Sequence, residues 1–252
     1  MKDLKNKVVV LTGAAGGVGM ATARLYAELG SRLVLSDLSM ENLLAVKQQL
    51  PNETEVVLVE ADISDETAVQ NLVRTTLNSY NRIDVWINNA GFSGSKKCFI
   101  EEYDLDMARK VFEINALGTF DCMKKVLPVM RQQQSGVIVN VASVAADRAT
   151  PYQSIYAASK AAIVAMTKSA AWEYGQFGIR VISVGPSAID TPMINAFANG
   201  NPEEVKKMRA ASNPLGRIAR PEEVANLIAF LSSEMASFMT GSNVLIDGGN
   251  RK

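Results

Sequence analysis

Val8-Val-Val-Leu-Thr-Gly-Ala-Ala-Gly-Gly-Val-Gly-Met-Ala-Thr-Ala-Arg-Leu-Tyr-Ala-Glu-Leu-Gly30 is the stretch that decides the fold. Val8–Leu11 is a β-branched run of strand type, and Ala21–Leu29 reads as a helix stopped by Gly30. Between them, Gly13, Gly17 and Gly19 permit a tight turn and close backbone approach to a pyrophosphate, and Val18 between the last two is read as a cofactor-binding residue. The helix start adds oriented N–H donors and partial positive charge. A glycine turn alone reads equally well as a structural turn. The strand, turn and helix order selects the phosphate-binding reading.

The next strand, Leu33–Leu35, leads to Ser36-Asp37-Leu38, and Asp37 lies 18 residues beyond Gly19. A carboxylate at about that distance hydrogen-bonds the adenosine ribose hydroxyls of NAD. It also repels the extra phosphate of NADP: one pair of unit charges about 4 Å apart repels by ~4 kcal/mol at an effective dielectric near 20. Arg32, at the start of the strand, is badly placed to offset that. The alternative for Asp37 is an acid at a helix N-terminus. The residues favour NAD over NADP.

Downstream, apolar runs alternate with amphipathic stretches. Strands are expected at Val56–Val59, Val85–Ile87, Val137–Val141, Val181–Val184 and Asn243–Ile246. Helices are expected at Glu41–Leu50, Asp65–Tyr80, Ser154–Tyr174 and Pro221–Leu231, with a long helical region from about Leu105 to Arg131 kinked or interrupted near Gly118 and Pro128. The alternation predicts an α/β fold, a parallel sheet with helices on both faces. No linker or repeat divides the chain, so residues 1–252 read as one domain. The stretch 190–213, with Gly200 and Pro202 and followed by Pro214, lacks a strand pattern and reads as a flap over a substrate.

The chain contains no histidine. That excludes Ser-His-Asp and Cys-His catalysis and His-containing zinc sites. Cys98 and Cys122 cannot supply the four thiolates of an all-cysteine zinc site, and no metal is expected. They read as structural thiols in a reducing, cytoplasmic setting. Lys plus Arg and Asp plus Glu each total 26, so no nucleic-acid partner is expected. No apolar run is long enough to span a membrane, and no signal peptide is read at the start. Proton transfer near neutral pH is left to carboxylates, Lys, Tyr or Cys.

Of the six tyrosines, only Tyr156 has a lysine four residues later, Lys160, on the same helix face. Taken alone this pair reads as a solvated face. In order along the chain, however, stand the glycine turn, Asn88-Asn-Ala-Gly91, Asn115, Ser143, Tyr156-Ala-Ala-Ser-Lys160, Pro186 with Ile189 and Thr191, Gly241, and Asp247-Gly-Gly249. The set resembles the short-chain dehydrogenase/reductase family over nearly the whole chain.

The resemblance implies a doubly wound, Rossmann-type sheet of seven parallel strands, a nicotinamide cofactor and no metal in the hydride step. It implies that Asp62 and Ile63 meet the adenine, that Asn89 and Gly91 lie along the adenosine side, and that Ile189 and Thr191 sit near the nicotinamide carboxamide. It implies that Lys160 bonds the nicotinamide ribose and that Asn115 fixes a water linking Lys160 to solvent; a helix-interior amide is the plainer reading of Asn115. Two departures stand out: Gly185 replaces a common asparagine, and Ser187 a common glycine.

Carbonyl reduction adds hydride to carbon and a proton to oxygen. Tyrosine titrates near ~10, so a base at neutral pH needs a shift of about 3 units. A lysine cation about 4 Å away could supply most of it. Tyr156 is therefore expected as acid/base, with Ser143 holding the substrate oxygen. Met193, Ile194, Phe197 and Met208 are candidate pocket residues, or flap packing. The acidic run Glu101, Glu102, Asp104 and Asp106 reads as a solvated helix start. Val111, Ile114, Leu117 and Phe120 form a stripe that faces the sheet or another subunit; the resemblance implies a homotetramer or homodimer. The reading is an NAD-dependent oxidoreductase of a small-molecule secondary alcohol or ketone. The alternatives are an NADPH-dependent 3-oxoacyl-thioester reductase with an acyl carrier partner and a non-catalytic dinucleotide sensor.

Overall fold

The computed structural model describes residues 1–94, 97–195 and 201–250. In chain order the elements are β1 (Val8–Thr12), α1 (Gly17–Glu28), β2 (Arg32–Asp37), α2 (Met40–Lys47), β3 (Val56–Glu60), α3 (Glu66–Tyr80), β4 (Val85–Asn88) and α4 (Leu105–Phe112). They continue with α5 (Thr119–Gln133), β5 (Gly136–Val141), α6 (Ser154–Tyr174), β6 (Ile179–Pro186), α7 (Pro192–Asn195), α8 (Pro202–Ala210), α9 (Pro221–Ser232) and β7 (Asn243–Ile246).

The seven strands form one sheet in the order β3-β2-β1-β4-β5-β6-β7, with every neighbouring pair parallel. Side chains alternate between its faces. Val9, Leu11, Leu33, Leu35, Ile87 and Val139 pack with α1, α2 and α9, while Val10, Val34, Trp86 and Ile138 pack with α3, α5 and α6. Both faces are covered, which is why the strands are apolar almost throughout. The strand order reverses between β1 and β4, and that switch point opens a crevice at the carboxyl ends of the strands.

Helix starts follow from short polar caps. Asp65 Oδ1 accepts from the Thr67 N–H at 2.8 Å, and Asp104 Oδ1 from the Met107 N–H at 2.8 Å. The acidic run is thus a helix start, as its composition implies. The long region from Leu105 is broken, but not by a kink: Glu113–Gly118 forms a π-helical turn between α4 and α5. Pro128 lies inside α5 without ending it. The expected stripe is split by this turn. Val111 is buried and Ile114 packs on the core, whereas Leu117 and Phe120 are exposed.

The flap is the largest difference in secondary structure. It contains α8, whose Asn201 cap accepts from the Glu204 N–H at 3.3 Å and whose first residue is Pro202. Within it Ile194 is buried but Met208 is exposed, which removes Met208 from an enclosed pocket wall. Phe197 and Gly200 lie outside the described residues.

Candidate active site

The crevice collects side chains from the ends of β1, β2, β4, β5 and β6. Gly13 has φ +63°, and a Cβ there would lie 2.7 Å from the Ala90 Cα, so the turn requires glycine. A Cβ on Gly17 would lie 2.5 Å from Thr191 Cγ2, which brings the segment after β6 directly over the turn. No side chain caps α1, so the N–H groups around Gly17, Val18 and Gly19 face the crevice without a capping acceptor.

Asp37, at the end of β2, accepts from the Ala15 N–H at 2.9 Å and from the Leu38 N–H at 2.8 Å. The acid is thereby tied to the glycine turn. Ala61 donates its N–H to the Asp37 carbonyl at 2.9 Å, setting Asp62 and Ile63 alongside. Ile63 is buried, while Asp62 is exposed and holds Ser64 through its N–H and hydroxyl at 2.8 and 2.6 Å. The Asn89 amide donates to the carbonyls of Thr12 and Gly13 at 3.1 and 2.8 Å. Its side chain therefore braces the turn.

On the other flank, Tyr156 and Lys160 lie one turn apart on α6. The Tyr156 phenol shares a hydrogen bond with Ser143, whose Oγ also accepts from the Ala145 N–H at 3.1 Å. Lys160 is buried; its Nζ donates to the Val141 carbonyl at 2.9 Å and stands 5.8 Å from the centre of the Tyr156 ring. A Cβ on Gly91 would lie 3.2 Å from that Nζ and 3.4 Å from Asn115 Oδ1, so these three residues meet.

Electrostatics here differ from the expectation. Burial pushes the Tyr156 phenol above its ordinary range, and the Ser143 hydrogen bond only partly opposes it. Burial pushes Lys160 down to about 8. The lysine Nζ stands 5.8 Å from the centre of the phenol ring, and desolvation is the largest influence on the phenol.

Asn115 sits in the π-helical turn, fully buried. Its Oδ1 accepts from the Phe92 N–H at 2.7 Å, and its amide donates to the Phe92 carbonyl at 2.8 Å and to Ser159 Oγ at 3.0 Å. With both donors committed to protein groups, the side chain clamps the segment after β4 onto α6. Phe92 lies just outside the quoted Asn88–Gly91 stretch, and Ser159, within Tyr156–Lys160, has no role assigned from the sequence.

A second buried chain also escapes sequence reading. Trp86 Nε1 donates to Asn88 Oδ1 at 2.7 Å, Asn88 to Asn140 Oδ1 at 2.8 Å, and Asn140 to Thr167 Oγ1 at 2.9 Å. It joins β4, β5 and α6. The only available signal is asparagines within otherwise apolar strands, which must find partners when buried.

After β6, Ile189 bridges to Ala219, and the Thr191 N–H bonds the Ile189 carbonyl at 2.9 Å. The two departures are accommodated. A Cβ on Gly185 would lie 2.7 Å from Leu245 Cδ2, so a side chain there would require Leu245 to turn aside. Ser187 donates its N–H to the Ile246 carbonyl at 3.1 Å, continuing the ladder to β7. Asp247 pairs with Arg148, tying the C-terminal loop to the loop after β5.

Glycine turn, uncapped helix start and adjacent carboxylate together fit a nicotinamide dinucleotide, with Tyr156 and Ser143 at the far end of the same crevice. A family model described as "Enoyl-(Acyl carrier protein) reductase" matches residues 13–251. The chain is 38% identical to a 3-oxoacyl-[acyl-carrier-protein] reductase of Thermotoga maritima, over 98% of each chain. It is 40% identical to levodione reductase of Leifsonia aquatica, covering 97% of this chain and 94% of the relative. It is also 40% identical to cis-4-hydroxycyclohexanecarboxylate dehydrogenase of Sinomonas cyclohexanicum, over 96% of each. Among solved structures, a levodione reductase superposes with a TM-score of 0.94 at 39% identity, covering 97% of each chain. An NAD+-bound xylitol dehydrogenase superposes with a TM-score of 0.92 at 31% identity, covering 98% of this chain and 99% of that one. No helix among the described residues is long and apolar enough to cross a membrane. The chain belongs to the short-chain dehydrogenase/reductase family and is an oxidoreductase of alcohols and ketones that uses a nicotinamide dinucleotide.

Proposed function

We propose that the protein is an NAD-dependent dehydrogenase of secondary alcohols, equally a reductase of the ketones, with Tyr156 as acid/base. One observation carries this: the Tyr156 phenol bonded to Ser143, one turn from buried Lys160, at the far end of the crevice from an uncapped glycine turn.

When bound, the nicotinamide supplies or accepts the hydride. Gly13, Gly17, Val18, Gly19 and the start of α1 hold its pyrophosphate, and Asp37 its adenosine ribose. Asp62 and Ile63 border the adenine, and Asn89 and Gly91 lie along the adenosine side. Ile189 and Thr191 border the nicotinamide carboxamide. Ser143 Oγ donates to the substrate oxygen and stabilises its developing charge. Tyr156 Oη gives its proton to that oxygen in reduction and takes it back in oxidation. A phenol raised by burial favours giving the proton; oxidation needs cationic charge close by, from Lys160 and the oxidised ring. Lys160 bonds the nicotinamide ribose. Asn115 keeps Phe92 and α6 in register beside it, where the resemblance also implies a water leading to solvent.

Asp37 supports NAD over NADP, as does the NAD+ held by the related xylitol dehydrogenase. The names of the Leifsonia and Sinomonas relatives point to cyclic ketones and alcohols, the latter bearing a carboxylate. The Thermotoga relative's name favours a second reading, a 3-oxoacyl-thioester reductase. Exposed Leu117, Phe120, Trp172 and Phe238 suit contact with further copies in a homodimer or homotetramer, and free Cys98 and Cys122 suit the cytoplasm.

The test is NADH absorbance with a panel of cyclic ketones, sugars, hydroxy acids and 3-oxoacyl thioesters in both directions. Tyr156→Phe is expected to lose about a thousandfold in kcat while still binding NADH. Near-normal turnover would refute the assignment.

A further inference from the structure

One buried polar side chain beside the reacting phenol has no hydrogen-bond partner among the described residues. Gln153 is 6% exposed and occupies the cap position of α6, one turn ahead of Tyr156. Its main chain is held on both sides. The N–H donates to the Thr150 carbonyl at 3.2 Å, and the carbonyl accepts from the Ala157 N–H at 2.9 Å. The side-chain amide does not cap the helix and bonds no other described group. Unlike the Ser154 hydroxyl beside it, which is enclosed, the amide keeps contact with solvent. Side chains at a cap and three residues on lie over the same first turn. The Gln153 amide therefore shares that turn with the Tyr156 phenol and its Ser143 partner.

The chain is bent to put it there. Tyr152, just before it, has φ +66°, a left-handed conformation unfavourable for a residue with a Cβ. The bend leaves Tyr152 exposed and Gln153 buried. The segment after β4 fastens it in place: the Cys98 N–H donates to the Tyr152 carbonyl at 3.3 Å, and the Phe99 and Tyr152 rings meet edge to face at 5.2 Å. Further along α6, Asn115 ties Phe92 of that same segment to Ser159. A tyrosine at positive φ and a buried amide without a partner both oppose folding. A bound molecule that hydrogen-bonds the amide offsets the second. An amide both donates and accepts, as a hydroxyl does, whereas a ketone or ester oxygen only accepts. Being neutral, it also suits a hydroxyl better than a carboxylate or phosphate, whose charge it would leave unpaired.

We propose that Gln153 is a specificity residue whose amide hydrogen-bonds a second hydroxyl of the substrate, on the carbon next to the reacting one. The favoured substrates are then neutral vicinal diols and the matching 2-hydroxyketones. Side chains sharing one helical turn converge on oxygens a few ångströms apart, the spacing across one carbon–carbon bond. In oxidation the reacting carbon gives its hydride to NAD+ and its hydroxyl proton to Tyr156, while the second hydroxyl stays unreacted on Gln153. This deepens the hydride-transfer reading and rests on it.

The probes are cyclohexane-1,2-diol against cyclohexanol, and butane-2,3-diol against butan-2-ol, each with saturating NAD+. In at least one pair the diol is expected to have a kcat/KM at least about tenfold above the mono-alcohol. Gln153→Met, of similar length and without the amide, should bring that ratio to within about threefold of one. Its Tm without ligand should match or exceed that of wild type, because no hydrogen bond is lost. Binding without turnover is read as a rise in Tm of the enzyme–NADH complex on adding the diol, present in wild type and absent in Gln153→Met. Where neither pair turns over, this rise decides alone. A ratio near one in both pairs, a ratio that survives in Gln153→Met, a variant Tm several degrees lower, or no rise with the diol overturns the Gln153 assignment and leaves the hydride-transfer reading standing. Failure of the protein to bind NADH overturns both.

Discussion

The two flanks of the crevice are built from different materials. Around β1 and β2 the site is mostly main chain: glycines without side chains, an uncapped helix start, and Asp37 fastened to the Ala15 N–H. Around β4, β5 and α6 it is mostly side chain: Asn115, Ser159, Asn88, Asn140 and Thr167 are all buried and hydrogen-bonded to one another or to backbone. The dinucleotide has the same shape in every turnover, so a backbone cradle suffices. Proton transfer needs a phenol aimed within tenths of an ångström, and that aim requires interlocked amides. The first flank is therefore sensitive to added atoms, the second to removed ones.

The sharpest way to break the contrast is to add atoms to the main-chain flank. Gly13→Val places a branched side chain at positive φ against Ala90, and is expected to weaken NADH binding at least about a hundredfold, measured by nicotinamide fluorescence. Next in size is a pH effect on the side-chain flank. Lys160 titrates near 8 when folded, against an ordinary value near 10.4, so burying it charged opposes folding at neutral pH. Between about pH 8 and 10.4 the unfolded chain binds the extra proton, and stability rises with pH by about 3 kcal/mol. Urea titrations of wild type and Lys160→Met, without cofactor, should show this rise in the former and not in the latter.

Asp37→Ser should narrow the NAD over NADP preference in kcat/KM by about 10- to 100-fold, below the full Coulomb value because the carboxylate is half in water. An unchanged ratio removes Asp37 from cofactor choice. The smallest effect tests the interlocking itself. Thr167→Val keeps the shape but deprives the Asn140 amide of its hydroxyl acceptor, and should cost about 1–2 kcal/mol, a fall in Tm of a few degrees. If kcat falls by more than the lost stability explains, the network aims α6 as well as holding it.

What can be read from the sequence follows the same division. The main-chain flank is written locally: a β-branched run, glycines at fixed spacing, then a helix pattern, with Asp37 at the expected distance. The strands at Val56, Val85, Val137, Val181 and Asn243 are legible because a doubly covered sheet needs apolar runs. The side-chain flank depends on partners far apart in the chain, such as Phe92, Asn115 and Ser159, so the Asn115 clamp leaves no local trace and the π-helical turn shows only as a break near Gly118. Tyr156's raised pKa is illegible for a related reason: desolvation depends on what surrounds the phenol, while sequence spacing reports only the lysine one turn away. Helix α8 is different. Asn201-Pro202-Glu203-Glu204 is a cap, a first-turn proline and two first-turn acids, so the signal is present and the surrounding Gly200 and Pro214 obscure it.

The turn at Glu113–Gly118 carries more residues per revolution than the helices on either side. Deleting a single residue there would let α4 and α5 merge into one regular rod while swinging Asn115 roughly 100° around its axis. Such a shortened protein would look better made, straighter and with a more uniform backbone, and would have lost the grip that aligns its reactive groups. Irregularity at this point is the working part of the helix, and a designer smoothing the backbone would remove it first.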